Sequence, residues 1–214
     1  MFGGKGDDGI ITRAVDDVFA IAKKRAKKCD INMKVSILEL YEDELTDLMA
    51  ASSEKRLIIK KDVKGLVHVV NSSFTTVTST DLLKECLTNA LKKRDGLGHD
   101  ASKSNMFVTI TVECSNKDSG VVNNGRIVFS DLMGCDTGEA SCGALLDVVK
   151  ALEAEDEMIP YTACPMTKLL SDCLGGNAKT LVIVHVKPDV DAWGQTKKVN
   201  LHSYALKVAH EGYM

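Results

Sequence analysis

Hydrophobic positions recur with two different periods along the chain, and each change of period marks a new element. Residues 13–28, RAVDDVFAIAKKRAKK, place Val15, Val18, Phe19 and Ala22 on one face at helical spacing. They end on a basic tail that suits the negative end of a helix dipole, so an amphipathic helix is predicted. Residues 33–41, MKVSILELY, switch to near alternation with branched side chains and predict a strand. Residues 42–49 then read as a short acidic helix or turn, and 57–70 as two strands around a turn at 62–65. Asp81 at an N-cap position predicts a helix through Leu91, followed by the polar loop KKRDGLGHDASKSN. MFVTITVEC, 106–114, predicts a long strand, and NKDSGVVNNG a turn. RIVFS, 126–130, predicts a short apolar strand of the sort found inside a sheet.

The second half continues with the loop DLMGCDTGEASCG, a helix over 144–155 and the acidic run EAEDE at 153–157. Pro165 is placed to start a helix that stops at Gly175-Gly176-Asn177. Residues 179–188, KTLVIVHVKP, predict a second apolar strand, and 195–210 have helical potential. Helices and strands intermix without repeat or low-complexity linker, which predicts one mixed-sheet α/β domain over residues 1–214. A length of 214 residues with 44% hydrophobic content supports one sizeable core and is short for two domains.

Charge and cysteines narrow the classes. Lys and Arg number 27 against 30 Asp and Glu, a net charge of −3, which argues against a globally basic nucleic-acid binder and leaves local basic patches open. No apolar run reaches membrane-spanning length and MFGGKGDDG lacks a signal-peptide core, so a soluble cytosolic chain without nucleic-acid or membrane partners is expected. Seven cysteines without a C-x-x-C pair and five scattered histidines signal neither a disulfide framework nor a protein-ligated metal.

The most informative local motif is Asp131-Leu132-Met133-Gly134 after RIVFS. A carboxylate at a strand end can hold Mg²⁺ through water, and a glycine three residues on lets a backbone N–H approach a terminal phosphate. A turn after a strand also commonly contains Asp and Gly, so the motif alone does not decide. The partner it needs, G-x-x-x-x-G-K-[ST], is absent from these 214 residues. GGKG at 3–6 has the wrong spacing, and GGNAKT at 175–180 has Ala178 where glycine is needed.

The order of motifs resembles the C-terminal two-thirds of a kinesin motor domain. GIITRAVDDVF (9–19) is similar to the family's G-I-I-P-R-A segment, and VSILELYEDELTDLM (35–49) to its V-S-x-x-E-x-Y-N-E segment. FVTITVE (107–113) resembles the strand after the first switch, and RIVFSDLMGCD (126–136) the strand and second switch ending D-L-A-G-S-E. IPYTACPMTKLLSDCLGGNAKTLVIVHVKP (159–188) resembles the long P-Y-R-D-S-K-L-T segment that runs on through L-G-G-N to the last strand. The resemblance implies a P-loop-NTPase-like kinesin motor architecture, N-terminally incomplete, with ATP and Mg as family cofactors and microtubules or another kinesin subunit as partners, in the cytoplasm and cytoskeleton.

Transferred residue by residue, the resemblance assigns Asp131 (Mg via water), Gly134 (γ-phosphate sensing) and Asp136 to the second switch. Asp136 stands where the family has a longer glutamate. Ser102 and Ser104, around Lys103 and before Asn105, are what remains of the first switch, and Lys103 is no equivalent of the family's arginine at a carboxylate fork. Met1-Phe2-Gly3-Gly4 resembles the stretch just after the phosphate loop, so the chain is expected to begin beyond its nucleotide cradle and to hold no cofactor by itself. Each charge-assisted hydrogen bond missing with that cradle contributes about 1.5–3 kcal/mol.

On the microtubule side the resemblance points to Lys150, Lys168 and Tyr161, the last with packing of its loop as a competing role. Lys92, Lys93 and Arg94 are further basic residues, expected to be solvated. The run at 153–157 stands where the family has a basic loop and is expected to be a solvated charged loop. Three readings remain open: a nucleotide-deficient module binding microtubules or a motor subunit, a fragment of an ATP-hydrolysing motor, and a non-functional relic.

Overall fold

The computed structural model describes residues 1–185 apart from residues 5, 53–54 and 135–138. In chain order the elements are β1 (Gly3–Gly4), β2 (Asp7–Asp8), α1 (Ile10–Arg25), β3 (Cys29–Tyr41), β4 (Glu44–Asp47), β5 (Ile58–Lys61), β6 (Val67–Val70), β7 (Thr75–Thr76) and α2 (Thr80–Asp95). A 3-10 turn at Ala101–Lys103, β8 (Ser104–Asn116), β9 (Val122–Asp131), α3 (Glu139–Glu153) and α4 (Pro165–Leu169) follow. The fold is mixed α/β, and its contacts gather into two compact units: residues 1–57 with 71–132, and residues 58–70 with the chain from 133 onward.

The first unit is built on a sheet of order β4-β3-β8-β9, with β7 also pairing β3. Every pairing in it is antiparallel, and thirteen-residue β3 runs in register along the whole of β8 from Cys29↔Asn116 to Tyr41↔Ser104. Side chains opposite one another share a face, so Val35 and Ile37 join Ile110 and Val108 in one apolar layer. Ile11 and Val15 of α1 and Leu83, Leu87 and Ala90 of α2 belong to the same buried cluster. Two amphipathic helices thereby bury their apolar stripes with one face of the sheet.

Several elements differ from the sequence expectation, each for a local reason. Helix α1 starts at Ile10, earlier than residue 13, because Ile11 extends its buried stripe, and it ends at Arg25. The last three cationic-tail residues, 26–28, form a turn in which the Lys28 N–H donates to the Arg25 carbonyl at 2.8 Å. Residues 42–49 are not a helix: Glu42 adopts φ +53 in a two-residue connection and β4 folds back on β3 with Tyr41 opposite Glu44. The cap of α2 is Ser79, whose hydroxyl accepts the Leu82 N–H at 3.2 Å, while Asp81 lies in the first turn. NNG, expected in a turn, belongs to β9.

RIVFS, expected inside the sheet, lies in its last strand; among the described residues β9 pairs with β8 alone. Residues 179–185 form no strand, and Leu181 is 84% exposed and Ile183 55%. Residues 186–188 of that expected strand, and the expected helix at 195–210, lie outside the described residues.

The second unit holds the β5–β6 hairpin, α3 and α4. The Asp62 carboxylate accepts the N–H groups of Lys64 at 2.8 Å and Leu66 at 2.9 Å and so closes the hairpin turn expected at 62–65. The bond from Leu66 first, then one from the His68 side chain and lastly that from Lys64 hold its carboxyl below the usual range. Pro165 does open α4, but the helix stops at Leu169 instead of reaching Gly175.

Candidate switch site at the end of the central sheet

Antiparallel register places the start of β8 and the end of β9 at one end of the sheet. Met106 lies opposite Glu39 of β3 on one side and Asp131 of β9 on the other, so Glu39, Met106 and Asp131 form a row on the helix-covered face. Two register positions further, Ser104 faces Tyr41. Fold topology alone therefore brings Ser104, expected in the first switch, and Asp131, expected in the second, to one end of the sheet. Their surroundings differ: Asp131 is exposed, whereas Ser104 is 3% exposed.

Ser104 sits in a buried polar cluster. Its hydroxyl donates to Glu39 Oε1 at 2.5 Å and accepts from Arg94 Nη2 at 2.6 Å. Arg94 Nε donates to the same Glu39 oxygen at 2.9 Å, and Nη2 also reaches the Ala101 carbonyl at 2.8 Å. His99 Nε2 lies 3.0 Å from Glu39 Oε1, and its ring stacks on Tyr41 at 4.0 Å between centroids, 17° from parallel. Glu39 Oε2 is buried with no hydrogen-bond partner among the described residues.

Burial alone pushes the Glu39 carboxyl up, but the bonds from Ser104, His99 and Arg94 outweigh it and hold the group below its ordinary value. Arg94 thus belongs to the interior and is not the solvated cation expected from its sequence neighbourhood. Lys93 is likewise engaged, donating to the carbonyls of Asp47 and Ala50 at 2.7 Å each. Sequence reasoning passed over Glu39, Arg94 and His99 as site residues; the available signal was one carboxylate inside the apolar run ILEL, which a buried strand tolerates only beside a cation.

The other residues expected in a first switch, Ser102 and Lys103, are engaged locally. The Ser102 hydroxyl donates to Asp100 Oδ1 at 2.7 Å, and the Lys103 ammonium lies 4.0 Å from Asp100 Oδ2. These hydroxyls do not fit a nucleotide with its magnesium. One is bonded to a buried carboxylate, and the other to a carboxylate that would repel phosphates. Asp100 itself is held below its usual range, chiefly by Ser102. Among the described residues no group of three His, Cys, Asp or Glu side chains can hold a metal ion. Asp136 lies outside the described residues, and Gly134 is exposed in the second unit.

Lys150, Tyr161 and Lys168 all belong to that second unit. Lys150 and Lys168 are exposed, on the last turn of α3 and on α4. Tyr161 is half-buried: its hydroxyl donates to the Leu174 carbonyl at 2.6 Å, and the Lys61 ammonium stands 5.1 Å from its ring centroid. Gly175, at φ +88, passes so close that a Cβ would lie 2.9 Å from the Leu152 side chain and 3.2 Å from the Tyr161 hydroxyl. Tyr161 therefore ties its own loop to the turn after α4. The next element is fixed by Thr167, which accepts the Cys164 N–H at 3.2 Å in a capping box and donates to the Tyr161 carbonyl at 3.0 Å. Residues 153–157 are all exposed.

Comparison with known proteins bears on the whole chain. The family described as kinesin motor domain matches residues 1–209. The chain is similar to kinesin-like protein KIN-14I of Oryza sativa subsp. japonica, 32% identical over 210 residues that cover 88% of this chain and 17% of that protein. It is also similar to kinesin-like protein KIN-14E of Arabidopsis thaliana, 31% identical over 88% of this chain and 17% of the relative. A third relative, KIN-14I of Arabidopsis thaliana, is 31% identical over 94% and 22% respectively. The chain spans less than a quarter of the length of these relatives.

Proposed function

The chain belongs to the kinesin motor domain family, and from that premise we propose that it serves microtubule-based movement as a binding module, contacting tubulin or another motor subunit without turning over ATP by itself. The observation that carries the reading is the inward commitment of Ser104. A buried hydroxyl that gives its proton to Glu39 and accepts from Arg94 has no donor left to offer a phosphate. On this reading Lys150 and Lys168 meet the acidic tubulin surface, the exposed run at 153–157 opposes it, and the protein resides with the cytoskeleton.

A second reading is a segment of an ATP-hydrolysing motor. It is favoured by the small share of each relative that the chain spans and by Asp131 with Gly134, which match the family's second switch. In that setting Asp131 assists Mg²⁺ through water and the Gly134 amide senses the γ-phosphate. Microtubule co-sedimentation with ATP, with ADP and without nucleotide separates the two. The module reading expects equal pelleting in all three and no change for Asp131→Ala, with Lys168→Glu reducing it. Tight capture of a fluorescent ATP analogue by the purified chain, or nucleotide-dependent pelleting that Asp131→Ala abolishes, overturns it.

A further inference from the structure

The C-terminal end of α1 carries more positive charge than a helix end requires. Lys23, Lys24, Arg25, Lys27 and Lys28 occupy five of six consecutive positions, and all five are exposed. The helix dipole is complemented by the three in the last turn, Lys23, Lys24 and Arg25. Lys27 and Lys28 extend the patch beyond the helix. Among the described residues none of the five has an ion-pair partner. Lys117 adds a sixth cation, anchored on the Ala26 carbonyl at 2.9 Å and paired with Asp30 at 3.0 Å. In a chain of net charge −3 this is a concentrated positive field.

Beside the patch runs an open groove of about 550 Å³, lined by half-buried Phe19, Ala22 and Ile31 and by exposed Lys23, Thr78 and Asp30, the last ion-paired with Lys117. An apolar floor next to a cationic rim selects among anionic partners. A bilayer needs aliphatic side chains to insert, but α1 has Ile11 and Val15 buried in the core and presents only Ile21 near the patch. A single-stranded nucleic acid needs exposed aromatic faces to stack on, and the groove's one aromatic ring, Phe19, packs against the core. A flexible acidic polypeptide satisfies both features at once.

We propose that this face docks an acidic polypeptide segment of a partner protein, with its carboxylates on residues 23–28 and one apolar side chain in the groove. The site lies in the first unit, Lys150 and Lys168 belong to the second, and the proposal does not depend on the microtubule reading.

Fluorescence anisotropy of labelled glutamate-rich peptides, with and without one phenylalanine, tests it on the 214-residue chain. The phenylalanine peptide is expected to bind more tightly, and binding should weaken as salt rises from ~0.05 to ~0.3 M. The exposed triple reversal K23E/K24E/K27E is expected to lower affinity at least about tenfold with unchanged circular dichroism. Ala22→Trp, which fills the groove and leaves every charge, should bring the phenylalanine peptide down to the level of the plain one. Equal binding by the wild type and the triple variant, no peptide binding at low salt, or retention on phosphatidylserine vesicles without peptide binding each overturn the proposal.

Discussion

A carboxylate with no solvent exposure survives in a fold only where donors outnumber its losses, and Glu39 meets that condition through Arg94, Ser104 and His99. Its carboxyl is held below the ordinary value of 4.5, so the unfolded chain takes up the proton first as pH falls. The stabilisation is therefore complete above pH 4.5 and drains away as pH drops through the lower folded value. Urea melts across this range are expected to show acid destabilisation in the wild type and a flatter profile for Glu39→Gln. In the same series at neutral pH, Arg94→Ala should lose about 3–5 kcal/mol, because it strands a buried charge. A profile in Glu39→Gln as steep as the wild type would remove Glu39 as the cause. The sequence suggests a switch position for Ser104 only by resemblance, and that its hydroxyl points inward was not legible there, since its partner Glu39 lies 65 residues away in sequence.

Among elements, α1, α2, β3 and β8 were legible because each writes one period over more than ten residues. The misread segments include short ones as well as the strand expected at 179–188, of which residues 179–185 form none. Residues 42–49 carry acidic side chains that suit a helix start, yet pairing with β3 satisfies their backbone and buries Leu48, which local propensity does not weigh. The cap of α2 shifted by two residues because Ser79 competes with Asp81 for the same role and sits in extended backbone at φ −152, ψ 160. Ser79→Ala is accordingly expected to cost about 1 kcal/mol in a chemical melt, and Asp81→Ala clearly less; the reverse order would return the cap to Asp81.

At the scale of the molecule, the apolar segment Leu181, Val182 and Ile183 has strand composition but no ladder, with exposures of 84%, 43% and 55%. Such a window favours intermolecular association. Leu181→Lys with Ile183→Lys should reduce concentration-dependent light scattering while the urea midpoint stays within about 0.5 kcal/mol, as for other exposed sites. Unchanged scattering would place the sticky surface elsewhere. Family membership, the α/β class and the order of the long elements were already determined by the sequence, because periodicity and collinear motifs are local properties that survive without coordinates. Which polar residues face inward, the pairing of β9 with β8 alone among the described residues, and the meeting of Glu39, Ser104 and Asp131 at one sheet end were decided only by tertiary structure. These depend on strand register between distant segments, and register is fixed by burying a common face, which no single stretch of the chain encodes.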